Sequence, residues 1–309
     1  MDFEDIAWAL ERKIKKVFIH RSSNKRPSSY PFISGDTFRS IANHIYERPS
    51  RMLVPEHVHE KDIVFVESHL LEDFFKEIHP KISHPYILIT HNGDLNITEE
   101  HTQYVNDKII HWFAQNVLID HPKITPIPIG LENAHHANAG MLRLYQEFSS
   151  DLAAIKEGKI DDIRETRKSR ILYTFNAATN PKERSEALKA LKESDTADKL
   201  NRGIFISQPA YIRVLRSYTF VASPPGGGED CHRTWEALYI GTIPIVKDSV
   251  MARKFYELGV PLYIVKDWSE VCNLSKYELI AKYDILWKHS NTDTLYFDFW
   301  KNLILSHKQ

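Results

Sequence analysis

Arg233 and Glu236 stand three residues apart behind two prolines and three glycines, in the run FVASPPGGGEDCHRTWEALYIGTIPIV at positions 220–246. Gly226, Gly227 and Gly228 lack a Cβ, so their backbone can take positive φ and bring N–H groups close to an anion. A helix opening near Asp230 would add unpaired N–H groups and the positive end of its dipole. On that helix His232, Arg233 and Glu236 share a face, while Cys231, Trp235 and Leu238 form an apolar stripe opposite. The chemistry this permits is recognition of a phosphorylated ligand. Arg233 could hold a diphosphate through paired N–H bonds, and Glu236 could accept both hydroxyls of a ribose. A surface Arg–Glu pair beside an ordinary glycine turn would read the same way. The loop fits neither G-x-G-x-x-G nor G-x-x-x-x-G-K-[ST], which disfavours a Rossmann dehydrogenase and a P-loop NTPase.

A second cluster lies upstream in ILYTFNAATNPKER, positions 171–184. A strand ends at Asn176, Asn180 is a good N-cap and Pro181 suits the first helical position. Lys182 and Arg184 then occupy the first turn, the wrong end of the dipole for cations unless an anion sits there. With Thr179, and with Ser223 ahead of the glycine loop, these residues complete the set expected around a phosphorylated ligand.

The stretch resembles the sugar-nucleotide-binding half of exostosin-type glycosyltransferases, in which a Pro/Gly loop precedes Arg-x-x-Glu-Ala and a Gly-x-Ile-Pro-Val strand. Here these read RTWEA at 233–237 and GTIPI at 241–245. The resemblance is closest over about residues 168–270 and thinner over about 30–135. It implies an α/β fold of two facing Rossmann-like doubly wound domains, the GT-B architecture. It also implies metal-independent, inverting transfer of a sugar from a UDP donor to a glycan hydroxyl. The donor sugar is not derivable, and xylose is only a guess. A GDP-fucose-type transferase and a catalytically silent module that binds nucleotide sugars or glycans are the alternatives.

Such a reaction needs positive charge on the departing diphosphate and a base on the acceptor hydroxyl. No two aspartates stand two residues apart, so the Asp-x-Asp metal motif is missing, and Arg and Lys are expected to neutralise the leaving group. The sixteen histidines include no His-Glu-x-x-His, and no metal or cofactor is expected. The base is expected from the first domain, where the apolar run 86–90 delivers His91 and Asp94 to a strand's carboxyl end. Asp94 is the first choice, His91 the second and Asp36 the third. Asp94 could equally do no more than bond its own turn. A two-metal phosphoesterase is disfavoured, because its Asp-x-His opens the chain whereas Asp230 and His232 come late.

The elements that must position these groups follow from the pattern. With 309 residues and 42% apolar content, the chain can bury two cores. Forty basic and 41 acidic residues balance, so no global field recruits nucleic acid or a membrane surface. Two cysteines make no disulfide framework, and the amino terminus carries no long apolar segment. A cytoplasmic setting is expected, for a microbial or viral relative, or else a Golgi-type chain cut from its anchor. Strands are expected at 17–19, 63–66, 86–90, 112–116 and 125–129, with helices near 36–47, 69–78, 98–110 and 141–157. Strands at 171–175, 218–222, 243–246 and 262–265 follow, alternating with helices at 182–192, 209–217, around Arg233 and at 251–258. A helix at 276–288 and an aromatic tail at 296–300 end the chain. The expected divisions are an acceptor-side domain at 1–155, a nucleotide-sugar domain at 168–275 and a helical segment at 276–309 that crosses back to the first.

Overall fold

The computed structural model describes residues 6–10, 13, 26–49, 52–136, 142–200 and 206–308. Its architecture is α/β, with two five-stranded parallel sheets flanked by helices. The expected strand at 17–19 lies outside the described residues.

The first sheet contains β1 (His44–Tyr46), β2 (Ile63–Glu67), β3 (Tyr86–His91), β4 (Ile109–Ala114) and β5 (Ile124–Pro126), paired in sequence order. Every residue of β2 and β3 is buried, because both faces of the sheet are covered. Val64, Val66, Leu88 and Trp112 pack beneath the crossover segments that carry Leu71, Phe74 and Phe75. Phe65, Ile87, Ile89 and Phe113 face the other way, toward Phe32, Phe38 and the last helix, Phe297–Ser306. Phe38 meets Phe297 edge-on at 5.3 Å, and Phe113 meets His307 in the same way at 5.3 Å.

The second sheet contains β6 (Lys168–Tyr173), β7 (Ala197–Lys199), β8 (Tyr218–Ala222), β9 (Ile243–Lys247) and β10 (Tyr263–Val265), in the order β10-β9-β8-β6-β7. From β6 the chain steps outward to β7 and then returns to β8 on the other side. The loops leaving β6 and β8 therefore diverge, and the crevice between their carboxyl ends is where open α/β sheets bind ligands.

Several expected elements change. The helix expected at 36–47 stops at Arg39, because Asn43 and then β1 join the edge of β2; Asn43 exchanges hydrogen bonds with Ile63 through its N–H and its Oδ1. The helix expected at 98–110 shrinks to a 3₁₀ turn at Glu99–Tyr104. Asn106 turns the chain there, its Oδ1 accepting the Lys108 N–H, and Ile109 already belongs to β4. β7 has no counterpart among the expected strands, and the aromatic tail is the start of the last helix. The charged stretch after the helix Leu142–Lys156 contains the short helix Ile160–Glu165.

The two sheets are tied together at several points. Tyr239, from the second unit, accepts the Ile33 N–H at 3.0 Å and stacks edge-on against Phe32 at 4.9 Å. Asp151, on the helix Leu142–Lys156, holds Arg167 at 2.6 Å and Arg216 at 2.8 Å, fixing that helix to the second sheet. Among the described residues, no helix is long and apolar enough to cross a membrane.

Candidate functional site

The carboxyl edges of the sheets meet at a cleft of about 320 Å³. Asp94 and Ile129 line it from the first sheet; the glycine loop, Arg184, Arg233 and Glu236 line it from the second.

The glycine loop is held by its neighbours. Gly226 donates its N–H to Gly228 O at 3.0 Å, and Asn180 donates Nδ2–H to Gly226 O at 3.3 Å. Arg184 spans both loops of the switch point, donating from Nε to Pro225 O at 2.8 Å and from Nη1 to Asn176 O at 3.0 Å. None of the three glycines takes positive φ, contrary to expectation. Their role is space. A Cβ on Gly226 would come within 2.8 Å of Arg184 Nη2, one on Gly227 within 2.5 Å of Asp94 Oδ2, and one on Gly228 within 2.3 Å of Asn116 Nδ2.

Arg233 rises from the helix His232–Tyr239 and donates Nη2–H to Thr174 O at 3.1 Å. Its Nε and Nη1 are buried without a partner among the described residues. Neither Arg184 nor Arg233 forms an ion pair with a described carboxylate, and burial, then the charge of Arg233, holds Arg184 below its usual value. Two desolvated cations side by side are costly unless an anion joins them. Glu236 is 9% exposed and accepts Gln208 Nε2–H at 2.8 Å. It makes no ion pair with Arg233, so the surface-pair alternative is not what this fold builds. Burial pushes the Glu236 carboxyl up.

The remaining expected binding residues divide. Thr179 and His232 line the cleft, and His232 donates Nδ1–H to Gly130 O at 2.8 Å across the interface. Asn176 caps a 3₁₀ turn through the Ala178 N–H, and Ser223 bonds Thr234 at 2.9 Å, joining β8 to the Arg233 helix. Both position the site from outside the cleft. Lys182 is exposed and turned to solvent, because the Asn180 cap starts the helix with Arg184, not Lys182, on its buried side. Asp230 lines the cleft but spends its oxygens elsewhere. Oδ2 accepts the Ile129 N–H and Trp235 Nε1–H, both at 2.8 Å, and Oδ1 accepts the Cys231 N–H at 2.8 Å. It is an interdomain clasp, reinforced by its own N–H donating to Asn116 Oδ1 at 2.9 Å. Burial raises its carboxyl to about 6. The helix accordingly begins at His232 with no side-chain cap, and Cys231 lines the cleft instead of joining an apolar stripe.

Of the three expected bases, Asp94 alone is exposed in the cleft, standing against Gly227. His91 is not available: it is 1% exposed, Nε2–H donates to Pro128 O at 2.9 Å, and Nδ1 accepts the Asn92 N–H at 2.7 Å. Burial depresses it to about 4. Asp36 is 2% exposed and already bound, to Arg26 at 3.3 Å and His135 at 2.6 Å. Burial pushes its carboxyl up, but the hydrogen bond and charge of His135 with the charges of Arg26 and Arg39 outweigh this and hold it low. Neither fits the role of free base. Gln208 and Asn116 were not singled out from sequence, and His135 stood out there only as half of an adjacent histidine pair that could not hold one metal. Only Gln208 carried a local signal, the Ser207 cap that turns its helix toward Glu236.

No protein-family model matches the chain, and no curated protein matches it. Solved structures with some likeness include α,α-trehalose-6-phosphate synthase from Burkholderia multivorans, at 10% identity and a TM-score of 0.42, covering 83% of this chain and 73% of that one. Another is a UDP-forming α,α-trehalose-phosphate synthase from Burkholderia vietnamiensis, at 9% and 0.42, covering 80% and 72%. An OtsA apo structure reaches 11% and 0.42, covering 100% and 79%. Likeness at this level assigns the chain to no family.

Proposed function

We propose that the chain is a glycosyltransferase of the exostosin-like, GT-B kind, moving a sugar from a UDP-sugar to a hydroxyl of a glycan acceptor with inversion. One observation carries the reading: Arg184 and Arg233 bring two guanidiniums to the cleft with no ion-paired carboxylate for either among the described residues, where Arg233 also keeps buried N–H groups unpartnered. A diphosphate supplies the missing charge and acceptors. As the glycosidic bond breaks, negative charge grows on the leaving phosphate, and fixed guanidiniums that bind this form more tightly lower the barrier. They supply the charge that a bridging cation supplies in other transferases, so the reaction needs no metal. Glu236, oriented by Gln208, accepts the ribose hydroxyls.

The test is a donor screen with free UDP as the readout, with and without acceptor glycans, in EDTA. Acceptor-dependent UDP release supports the reading. Binding of UDP without release from any donor and acceptor pair would make the chain a silent binding module, and a thermal shift with GDP in place of UDP would turn the assignment to a GDP-fucose-type donor. A ligand at about 100 times its Kd adds roughly 2.7 kcal/mol, enough to read by melting.

A further inference from the structure

The proposed transfer needs a group that takes the proton of the acceptor hydroxyl, and the residues expected to do so are poorly placed. His91 and Asp36 are occupied, and Asp94 stands against Gly227 in the loop that would cradle the phosphate, on the leaving-group side. Resting on the transferase reading, we propose that His135 is the general base, with Asp36 as the residue that positions it.

His135 donates Nδ1–H to Asp36 Oδ2 at 2.6 Å, which leaves the lone pair on Nε2. No described residue bonds Nε2, and the side chain is 17% exposed. A buried carboxylate fixing tautomer and ring while the second nitrogen faces outward is how an imidazole is prepared to accept a proton. The carboxylate itself is held firmly. Asp36 donates its N–H to Asn133 Oδ1 at 2.8 Å, and Asn133 donates Nδ2–H to Asn92 Oδ1 at 2.9 Å, locking the turn that carries His135 to the end of β3. Arg26 approaches the other Asp36 oxygen at 3.3 Å, but its shorter bond, 2.7 Å, goes to Glu47. Oδ2 is thereby left to His135.

The dyad stands outside the residues that line the cleft and reaches it through its neighbours on the first-sheet side. The His135 and His136 rings are 4.3 Å apart, and Glu132 lies 3.8 Å from His136 Nδ1 and 3.9 Å from His232 Nε2, which lines the cleft. The guanidiniums thus come from the second sheet and the base from the first. In the transfer step the acceptor proton passes to His135 Nε2 while the acceptor oxygen bonds the anomeric carbon. The bond from that carbon to the phosphate oxygen breaks, and its electrons leave with the diphosphate. His135 then returns the proton to solvent.

The experiment compares wild type, His135→Gln, Asp36→Asn and Asp94→Asn for UDP affinity, kcat, and kcat/KM from pH 5 to 9, with melting temperature as the folding control. The charged and titratable groups that act on Asp36 and on the neighbouring His136 are His135 itself, Arg26, Arg39 and Glu132. Expected for His135→Gln is unchanged UDP affinity, a fall in kcat of roughly a hundredfold or more, and loss of the acidic limb of kcat/KM. Asp36→Asn should move that limb to lower pH, a shift that a merely structural role would not produce. In wild type, Nδ1 should carry the imidazole proton in ¹⁵N NMR. Full turnover in His135→Gln, or loss of the limb in Asp94→Asn alone, overturns the dyad while leaving the transferase standing. A wild type that neither binds UDP nor releases it overturns both.

Discussion

Arg184 and Arg233, 49 positions apart in sequence, bring their guanidinium carbons to 5.9 and 6.0 Å from the ring centroid of the same residue, Phe175. The ring offers each cation some of the attraction that a carboxylate would have given, without neutralising either. The pair therefore stays charged, partly desolvated and open to an anion.

Removing one member should cost affinity for the diphosphate and not for a nucleoside. A hydrogen bond to a charged group is worth about 1.5–3 kcal/mol, so Arg233→Ala should weaken UDP by roughly tenfold to a hundredfold while leaving uridine unchanged. Calorimetric titration of both ligands checks this. Equal losses for UDP and uridine would mean that Arg233 supports the loop instead of touching phosphate. Arg184→Ala should cost more, because it also removes the bonds to Pro225 O and Asn176 O that hold the two loops together.

Glu236 acts through geometry that Gln208 sets. Gln208→Ala frees Glu236 Oε1 and leaves a buried carboxylate with one donor fewer. Glu236→Ala should lower affinity for UDP much more than for 2′,3′-dideoxy-UDP, because only the former offers ribose hydroxyls. Gln208→Ala should show the same pattern in weaker form. Identical behaviour of the two nucleotides in wild type would remove the ribose from this carboxylate.

The second sheet, apart from its three-residue edge strand β7, was readable because its signals are local. Asn180 with Pro181, Ser249 and Ser275 each cap a helix through a hydrogen bond within three residues, and β8 is a single buried run. The first sheet was harder. β1 and β5 are three residues long, and the polar turn at Asn106 hides where β4 begins. The site divides in the same way. Arg233, Glu236 and the glycines announce themselves by spacing, but Asp230 binds Ile129 and Asp36 binds His135 across sequence separations of 101 and 99 residues. Nothing near Asp230 in sequence says that its partner is a backbone N–H of the other sheet. Lys182 misled for the opposite reason: the dipole argument holds for the whole first turn, and only the helix phase decides which cation faces inward.

Asp94 separates two chemistries by sign. Its carboxylate stands against Gly227, in the loop beside Arg184, where it adds negative charge to the place proposed for phosphate. On that geometry Asp94→Asn should tighten UDP binding several-fold, more at low salt than at high, because partly exposed charges are screened. A base on the acceptor side would behave otherwise, with unchanged UDP affinity and kcat down by roughly a hundredfold. Titrations at two salt concentrations beside a turnover assay distinguish them.

Asp230 couples the joint between the sheets to pH. Its folded value of about 6 lies above the ordinary value of 3.8, so the native state holds the extra proton between them. The contribution to stability is complete below about pH 4 and is lost as pH rises through about 6, and a difference of this size is worth roughly 3 kcal/mol. Three N–H donors point at the two oxygens, two at Oδ2 and one at Oδ1, so Oδ1 keeps a free position for the proton. Asp230→Asn removes the titration. The difference in unfolding free energy between wild type and this variant should therefore fall by up to about 3 kcal/mol from pH 4 to pH 7, as read from urea melts. A difference that stays constant over that range would show that Asp230 titrates alike in the folded and unfolded chain, and the clasp would then owe nothing to burial of its charge.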